Sequence, residues 1–144
     1  MAKINFDTPI IFGALCEHSF ELPRGLGRAL AARAPGAILL PFQVEKRHLK
    51  NVLTCMRLMD IAGLVVMGSH QRAILGHLSN LDISAKKAGS VEVIARQKRV
   101  LRARERTSGQ VHDFIGYNSD HADLSAVDLL TASMAKNTQK QKKK

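Results

Sequence analysis

Short apolar runs alternate with segments of helical spacing along the first two thirds of the chain. Residues 9–15, 37–44 and 63–67 are almost continuously hydrophobic, which is typical of strands that are covered on both faces of a sheet. Residues 23–34 have helical character, and residues 45–60 place apolar side chains at helical spacing. Those side chains are Leu49, Val52, Leu53, Met56 and Met59. This alternation predicts strand–helix–strand units.

The sequence from residue 71 onward predicts further helices and then a hairpin. A helix is expected over residues 71–81, and a short helical turn is expected to end at Gly89, because glycine commonly terminates helices. Residues 91–104 and 111–117 form the arms of a predicted hairpin. The apolar side of a terminal helix over 120–136 consists of Leu124, Val127, Leu130 and Met134. Together these elements predict a three-layer α/β/α fold with a mostly parallel sheet of about six strands, ending in a β-hairpin and a C-terminal helix.

Length and composition favour one globular domain over residues 1–135 of the 144, since 45% of the residues are hydrophobic. Residues 136–144 are rich in lysine and are predicted to be a basic disordered tail. No apolar run is long enough to span a bilayer and no signal peptide is visible, so a cytoplasmic location without membrane contact is expected. Cys16 and Cys55 lack metal-site spacing and are expected to be reduced core residues.

The net charge of +10 is concentrated in two places. Residues 96–106 and the tail each carry a net charge of +5, and the rest of the chain is formally neutral. An extended first hairpin arm places four basic side chains on one face. They are Arg96, Lys98, Arg102 and Arg104. Such a face is usually only solvated, but it can also attract nucleic-acid phosphates or an acidic partner. No aromatic residue lies among the arginines, so base stacking is not implied.

Five local strings occur in an order typical of one enzyme family. They are His18-Ser19, Pro41-Phe42-Gln43-Val44, Gly63 with His70, Ala88-Gly89-Ser90-Val91 and Gly116-Tyr117-Asn118-Ser119-Asp120. On these strings, residues 9–124 resemble the N-terminal substrate-binding domain of shikimate dehydrogenase. In that family the last string leads into a nicotinamide-binding domain, which the 144 residues do not contain. The resemblance therefore implies no cofactor in this chain, and NADP only if a separate nicotinamide-binding chain exists.

The resemblance also assigns site residues. The family's catalytic lysine falls on Gln71, whose amide cannot exchange a proton near neutral pH, and its catalytic aspartate falls on Asp120. Hydroxyl-binding positions fall on Val65, Met67 and Glu92, and the last would repel an anionic substrate. The full set implied for the substrate is Ser19, Val65, Met67, Gln71, Glu92, Tyr117 and Asp120. No metal site is implied.

Purely structural roles are open for several of these residues. Asp120 follows a predicted strand and could cap the terminal helix. His18 and His70 could be loop or pocket residues, and Glu92 could pair with a hairpin arginine. Gly25 and Gly27 lie in a string too short and misplaced for a dinucleotide loop.

Three functional hypotheses follow. The first is a standalone domain that is not catalytically competent alone, a pseudoenzyme or a binding module for a small hydroxy-acid ligand or a partner. The second is the substrate half of a split NADP-dependent shikimate or quinate dehydrogenase. The third is a basic scaffold that binds nucleic-acid backbone or an acidic partner through the hairpin and tail. A homodimer through the C-terminal helix is also predicted, because the apolar side of that helix needs cover.

Overall fold

A five-stranded sheet forms the centre of the protein, whose computed structural model describes residues 10–18, 24–96, 114–121 and 125–131. The strands are β1 (Ile10–Cys16), β2 (Ala37–Gln43), β3 (Gly63–Val66), β4 (Val93–Arg96) and β5 (Phe114–Tyr117). Their order is β2-β1-β3-β4-β5, with parallel pairing from β2 to β3 and antiparallel pairing on both sides of β4. Four strands therefore run in one direction, and β4 alone runs in the other.

Helices cover both faces of the sheet, which confirms the predicted three-layer α/β/α fold. The helices are α1 (Leu26–Arg33), α2 (Leu49–Leu58), α3 (His70–Ala73), α4 (Ile83–Ala88) and a terminal helix over residues 126–131. On one face, α2, α3 and α4 pack on alternate strand residues such as Leu64 and Val66. On the other face, α1 and the terminal helix pack on Phe12 and Val65.

The terminal helix is a part of this core. Leu130 is fully buried and Leu129 is 5% exposed, both in the cluster that contains Phe12. A Cβ atom on Gly63 would lie 2.8 Å from Leu130 Cδ2, so β3 and the helix approach closely at this glycine. The apolar positions that the structure describes in this helix are thus covered by the chain's own sheet, and a dimer through the helix stays a prediction.

The predicted hairpin is present at its base, where β4 pairs with β5 from Val93 opposite Tyr117 to Arg96 opposite Phe114. The Arg96 guanidinium lies 2.5 Å from the Asp60 carboxylate and 5.9 Å from the centre of the Phe114 ring. This side chain is only 21% exposed. Arg96 therefore ties β4 to the turn after α2 and is not a free member of the predicted basic face. Lys98, Arg102 and Arg104 lie outside the described residues, as does the lysine tail.

The helix predicted over residues 71–81 is shorter than expected. After α3 a 3-10 turn follows at Ile74–His77, and the backbone is extended from Leu78 onward. Glycine at position 76 weakens the helix. Residues 80–82 instead bond to β5: the Gly116 N–H donates to the Asn80 carbonyl at 3.1 Å, and the Asp82 N–H donates to the Gly116 carbonyl at 2.9 Å.

Two further expectations are corrected by the structure. Cys16 is buried as predicted, but Cys55 is exposed on α2. Asp120 does not cap the terminal helix, because that helix begins at residue 126 and Ser125 precedes it. The Asp128 N–H donates to the Ser125 hydroxyl at 3.2 Å, and the Ser125 N–H donates to the Asp128 carboxylate at 3.3 Å. This reciprocal arrangement is a capping box.

The capping box gives an acid-sensitive contribution to stability. The Ser125 hydroxyl, and then the nearby Arg33 guanidinium, lower the pKa of Asp128 below its ordinary value near 3.8. A carboxylate whose pKa is lower in the folded state stabilises the fold above its unfolded pKa, and this contribution disappears as the pH falls through the folded pKa.

We therefore expect Asp128→Asn to lower the free energy of unfolding at pH 7. The loss should be only about 1 kcal/mol, because the carboxylate is partly exposed and screened by solvent. The difference from wild type should be smaller at pH 3, because the contribution begins to be lost as the pH falls below the ordinary pKa near 3.8. Urea denaturation at both pH values measures this, with Glu45→Gln, which removes an exposed carboxylate, as the matched control. An equal loss at both pH values would contradict the assignment.

Candidate ligand site at the carboxyl edge of the sheet

The carboxyl ends of the four co-directional strands lie at one edge of the sheet, together with the start of β4. The Val66 N–H donates to the Glu92 carbonyl at 2.7 Å, and the Glu92 N–H donates to the Tyr117 carbonyl at 2.8 Å. Residues before β4 and after β3 and β5 therefore meet there. In open α/β sheets this edge is where ligands bind.

Gln71 lies at this edge in α3, directly after the turn that follows β3. Its side-chain amide donates to the Val66 carbonyl at 3.0 Å, and its own backbone carbonyl accepts from the Val91 N–H at 2.7 Å. The side chain and the backbone of Gln71 together thus join β3 to the segment before β4. A neutral amide in this position supplies hydrogen bonds and no proton transfer.

Glu92 bonds to Ser119, and in the described part of the chain no arginine pairs with it. The Ser119 backbone N–H donates to Glu92 Oε2 at 3.2 Å, and the Ser119 hydroxyl makes a very short hydrogen bond to the same oxygen. Both donors belong to the 3-10 turn Ser119–His121. The carboxylate therefore holds that turn against the start of β4.

Asn118 is the residue that organises the same turn. It is 4% exposed, and its side-chain amide donates to the Ser90 hydroxyl at 2.9 Å and to the Ser90 carbonyl at 3.3 Å. Its side-chain oxygen accepts from the Asp120 N–H at 3.0 Å, and its backbone N–H donates to the Ser84 hydroxyl at 3.0 Å. Through its side chain and its backbone N–H, Asn118 thus connects the turn, the segment before β4 and α4. No local pattern in the sequence predicts this role for Asn118.

Glu17 and Ser69 form a second polar contact at this edge, which the sequence does not predict. The Ser69 hydroxyl donates to the Glu17 carboxylate at 2.7 Å, which joins the ends of β1 and β3. This hydrogen bond, followed by the charges of Lys46 and His18, holds the pKa of Glu17 below its ordinary value. Glu17 therefore stays ionised well into the acid range.

His70 is fully buried beside this pair and is a structural residue. Its Nε2 lies 2.6 Å from the Val44 carbonyl, and since a carbonyl can only accept, Nε2 carries the proton. Nδ1 is buried without a hydrogen-bond partner among the described residues. No feature of the sequence distinguishes this histidine from the exposed His18.

The other predicted site residues differ in how far they are exposed to solvent. Val65 is 4% exposed and belongs to the core, and Met67 packs against the same cluster. Asp120 is exposed in the turn. Tyr117 is half-buried, and burial, followed by the Asp82 charge, raises the pKa of its phenol, so the hydroxyl remains a hydrogen-bond donor. Ser19 lies outside the described residues.

A groove of about 510 Å³ lies beside this edge, between β2 and α2. None of the site residues predicted from the sequence lines it. Its lining includes Phe42, Val52, Cys55, Met56 and Met59. The residues that the structure describes contain no cluster of three or more potential metal ligands, and no helix among them is long and apolar enough to cross a bilayer.

No family model matches the chain. A curated shikimate dehydrogenase (NADP(+)) from Methanosphaera stadtmanae is 33% identical over 84 residues, which cover 58% of this chain and 29% of that enzyme. The chain is similar to part of shikimate dehydrogenase. It matches less than a third of the length of the curated relatives. The resemblance predicted from the five strings is thus confirmed for a fragment of the larger enzyme.

Solved structures show the same fold. Shikimate dehydrogenase 1 from Peptoclostridium difficile superposes with a TM-score of 0.60 at 21% identity, over 77% of this chain and 38% of that chain. A 5-ketofructose reductase from a Gluconobacter species gives 0.60 at 19% identity, over 80% of this chain and 38% of that chain. Because proteins named for different substrates share this fold with shikimate dehydrogenase, the fold alone does not select a ligand.

The described residues do not fit a nicotinamide dinucleotide. Phosphate-binding glycine loops directly join a strand to a helix. Here Gly25 and Gly27 lie at the start of α1, which begins at Leu26, whereas β1 ends at Cys16. Gly25 and Gly27 therefore do not form a loop of this kind.

Proposed function

We propose that the protein is a binding module with the fold of the shikimate dehydrogenase substrate domain, and that it does not transfer hydride by itself. Gln71 is the observation that carries this proposal. It occupies the position that the resemblance gives to the catalytic lysine, and its amide donates to the Val66 carbonyl at 3.0 Å. A neutral amide side chain that is hydrogen-bonded to a strand cannot act as a general acid or base.

The charges at the edge favour an altered ligand. Glu92 stands at a position that the resemblance gives to a neutral hydroxyl-binding residue, and its carboxylate bonds to Ser119. An incoming hydroxy acid would bring its own negative charge to the edge that already carries Glu92, with Asp120 exposed in the adjacent turn. Like charges at short range are unfavourable. The module therefore suits a neutral small ligand or a protein partner better than shikimate.

A second candidate is the substrate half of a split dehydrogenase. The exposure of Asp120 favours it, because a separate nicotinamide-binding chain could reach that carboxylate at the edge of the sheet. Such a partner would have to supply both NADP and a proton-transfer group in place of Gln71. The third hypothesis, a basic scaffold, depends on Lys98, Arg102 and Arg104 and on the tail. Of the predicted basic face, only Arg96 is described, and it is paired with Asp60.

Thermal-shift titration with shikimate, quinate and dehydroshikimate tests the proposal, with NADP and NAD run beside them. We expect no saturable change in the Tm of the wild type, and no NADP-dependent oxidation of shikimate. In Glu92→Asn, which removes the charge, shikimate should raise the Tm, by the equivalent of about 1.4 kcal/mol at ten times Kd. Glu45→Asn removes an exposed carboxylate elsewhere and is the matched control.

Two results would contradict the proposal in different ways. A saturable shift of the wild type with shikimate would restore the family's ligand class and favour the split enzyme. NADP-dependent turnover by the wild-type chain alone would show that Gln71 does not abolish catalysis.

A further inference from the structure

The groove between β2 and α2 has the dimensions of a small-molecule site. Its volume of about 510 Å³ lies within the range of about 300–1,000 Å³ that is common for ligand pockets. Its lining includes Met56, Ile61 and Leu64, each exposed by 5% or less, so it reaches down to the core of the domain. This groove is independent of the carboxyl-edge residues on which the proposed function rests.

The lining is apolar along its length and polar at one end. Phe42, Val52 and Met59 form apolar walls, and methionine is an adaptable contact for apolar ligands. The polar lining residues are Gln43, Glu45, His48 and Asn51. The Glu45 carboxylate is already paired with Arg47 at 2.8 Å. The polar end therefore offers hydrogen bonds without demanding a charged ligand.

The backbone of β2 disfavours a strand as the occupant. The Val44 N–H donates to the Cys16 carbonyl at 2.9 Å, so even-numbered residues of this segment direct their backbone groups toward β1. Because these directions alternate along a strand, Pro41 faces outward, where it has no N–H to donate and its ring obstructs an added strand. The Ala37 N–H, also directed outward, donates to the Ala34 carbonyl at 3.0 Å. An extended peptide or a second copy of β2 would thus find few donors along this edge.

The groove reaches the core, its lining is mostly apolar, and the outward edge of β2 is unsuited to an added strand. We therefore propose that this groove binds a neutral, largely apolar small molecule that carries a hydrogen-bonding group at one end. The apolar body lies against Phe42, Val52 and Met59, and the polar group lies near Gln43 and Asn51. Nothing in this proposal requires that the carboxyl edge bind a ligand.

Cys55 provides a direct test, because it lines the groove and is exposed, whereas Cys16 is buried. The probe is the neutral apolar dye Nile red, added to the full-length wild-type chain. We expect saturable fluorescence enhancement with one dye per chain, and at least fivefold slower modification of Cys55 by a thiol reagent when the dye is bound. Asn51→Trp, which places a bulky side chain in the groove, should weaken dye binding at least tenfold.

Leu58→Trp is the matched control, because Leu58 is an exposed position of the same helix that does not line the groove. It should bind the dye like the wild type. Val52→Trp is a second blocking variant, and circular dichroism checks that each variant is folded. Three outcomes would overturn the proposal: no saturable binding, binding that is unaffected by both blocking variants, or protection of Cys55 that depends on protein concentration and not on dye. The last outcome would assign the groove to a second copy of the chain.

Discussion

Replacing Leu130 by alanine is expected to lower the free energy of unfolding by about 2–5 kcal/mol. Leu130 is fully buried in the cluster that contains Phe12 and Leu30, and it approaches β3 at Gly63. The substitution removes apolar contacts and leaves a cavity that the rigid strand cannot fill. Urea denaturation followed by circular dichroism measures the loss.

The matched control for this substitution is Leu58→Ala, since Leu58 is 73% exposed at the end of α2. Its effect should stay within about 0.5 kcal/mol. If Leu130→Ala were as mild as the control, the terminal helix would not be part of the cooperative fold. In that case the helix would be free to cover a partner, as the sequence analysis predicted for a dimer.

Asn118→Ala is expected to cost about 1–3 kcal/mol, because it removes a buried group that makes several hydrogen bonds and leaves their partners unpaired. Ser90 loses the donor that bonds its hydroxyl and carbonyl, and the Asp120 N–H loses its acceptor. The Ser119–His121 turn should then detach from the start of β4. Denaturation gives the magnitude, and hydrogen exchange at the Ser119 and Asp120 amides shows where the structure loosens.

Asn51→Ala removes an exposed amide of α2 and is the appropriate comparison for Asn118→Ala. It should change stability by less than about 0.5 kcal/mol. Equal effects of the two substitutions would contradict the organising role of Asn118. A destabilised Asn118→Ala with unchanged exchange at Ser119 would show that Glu92 alone is sufficient to hold the turn.

The first three strands could be predicted because each is an apolar run. β1 and β3 are buried on both faces as expected, whereas β2 is an edge strand in which Ile38 and Leu40 are 42% and 39% exposed. Residues 9–15, 37–44 and 63–67 are nearly uninterrupted apolar runs, and they correspond to β1, β2 and β3 within one or two residues. The stop at Gly89 was equally visible, since its φ of 67° is one that glycine adopts without strain. Local chemistry determined these features, so no knowledge of distant contacts was needed.

The polar contacts of the candidate site join distant parts of the chain, and no local sequence pattern predicts them as the apolar runs predict the strands. Glu92 and Ser119 are far apart in sequence, and neither local sequence predicts that the two residues form a hydrogen bond. The same is true of His70 and the Val44 carbonyl. The cap of the terminal helix differs in this respect, because the Ser125-x-x-Asp128 spacing of the capping box is local and is visible in the sequence, whereas Asp120 does not cap this helix.

The clamp between Arg96 and Asp60 also affects how freely this protein can change over evolutionary time. It fixes β4 at the point where the hairpin leaves the sheet, and Phe114 begins the returning strand directly opposite. Arg96 contacts Asp60 and the Phe114 ring at the same time. A substitution at any one of these three positions should therefore favour compensating substitutions at the other two among descendants.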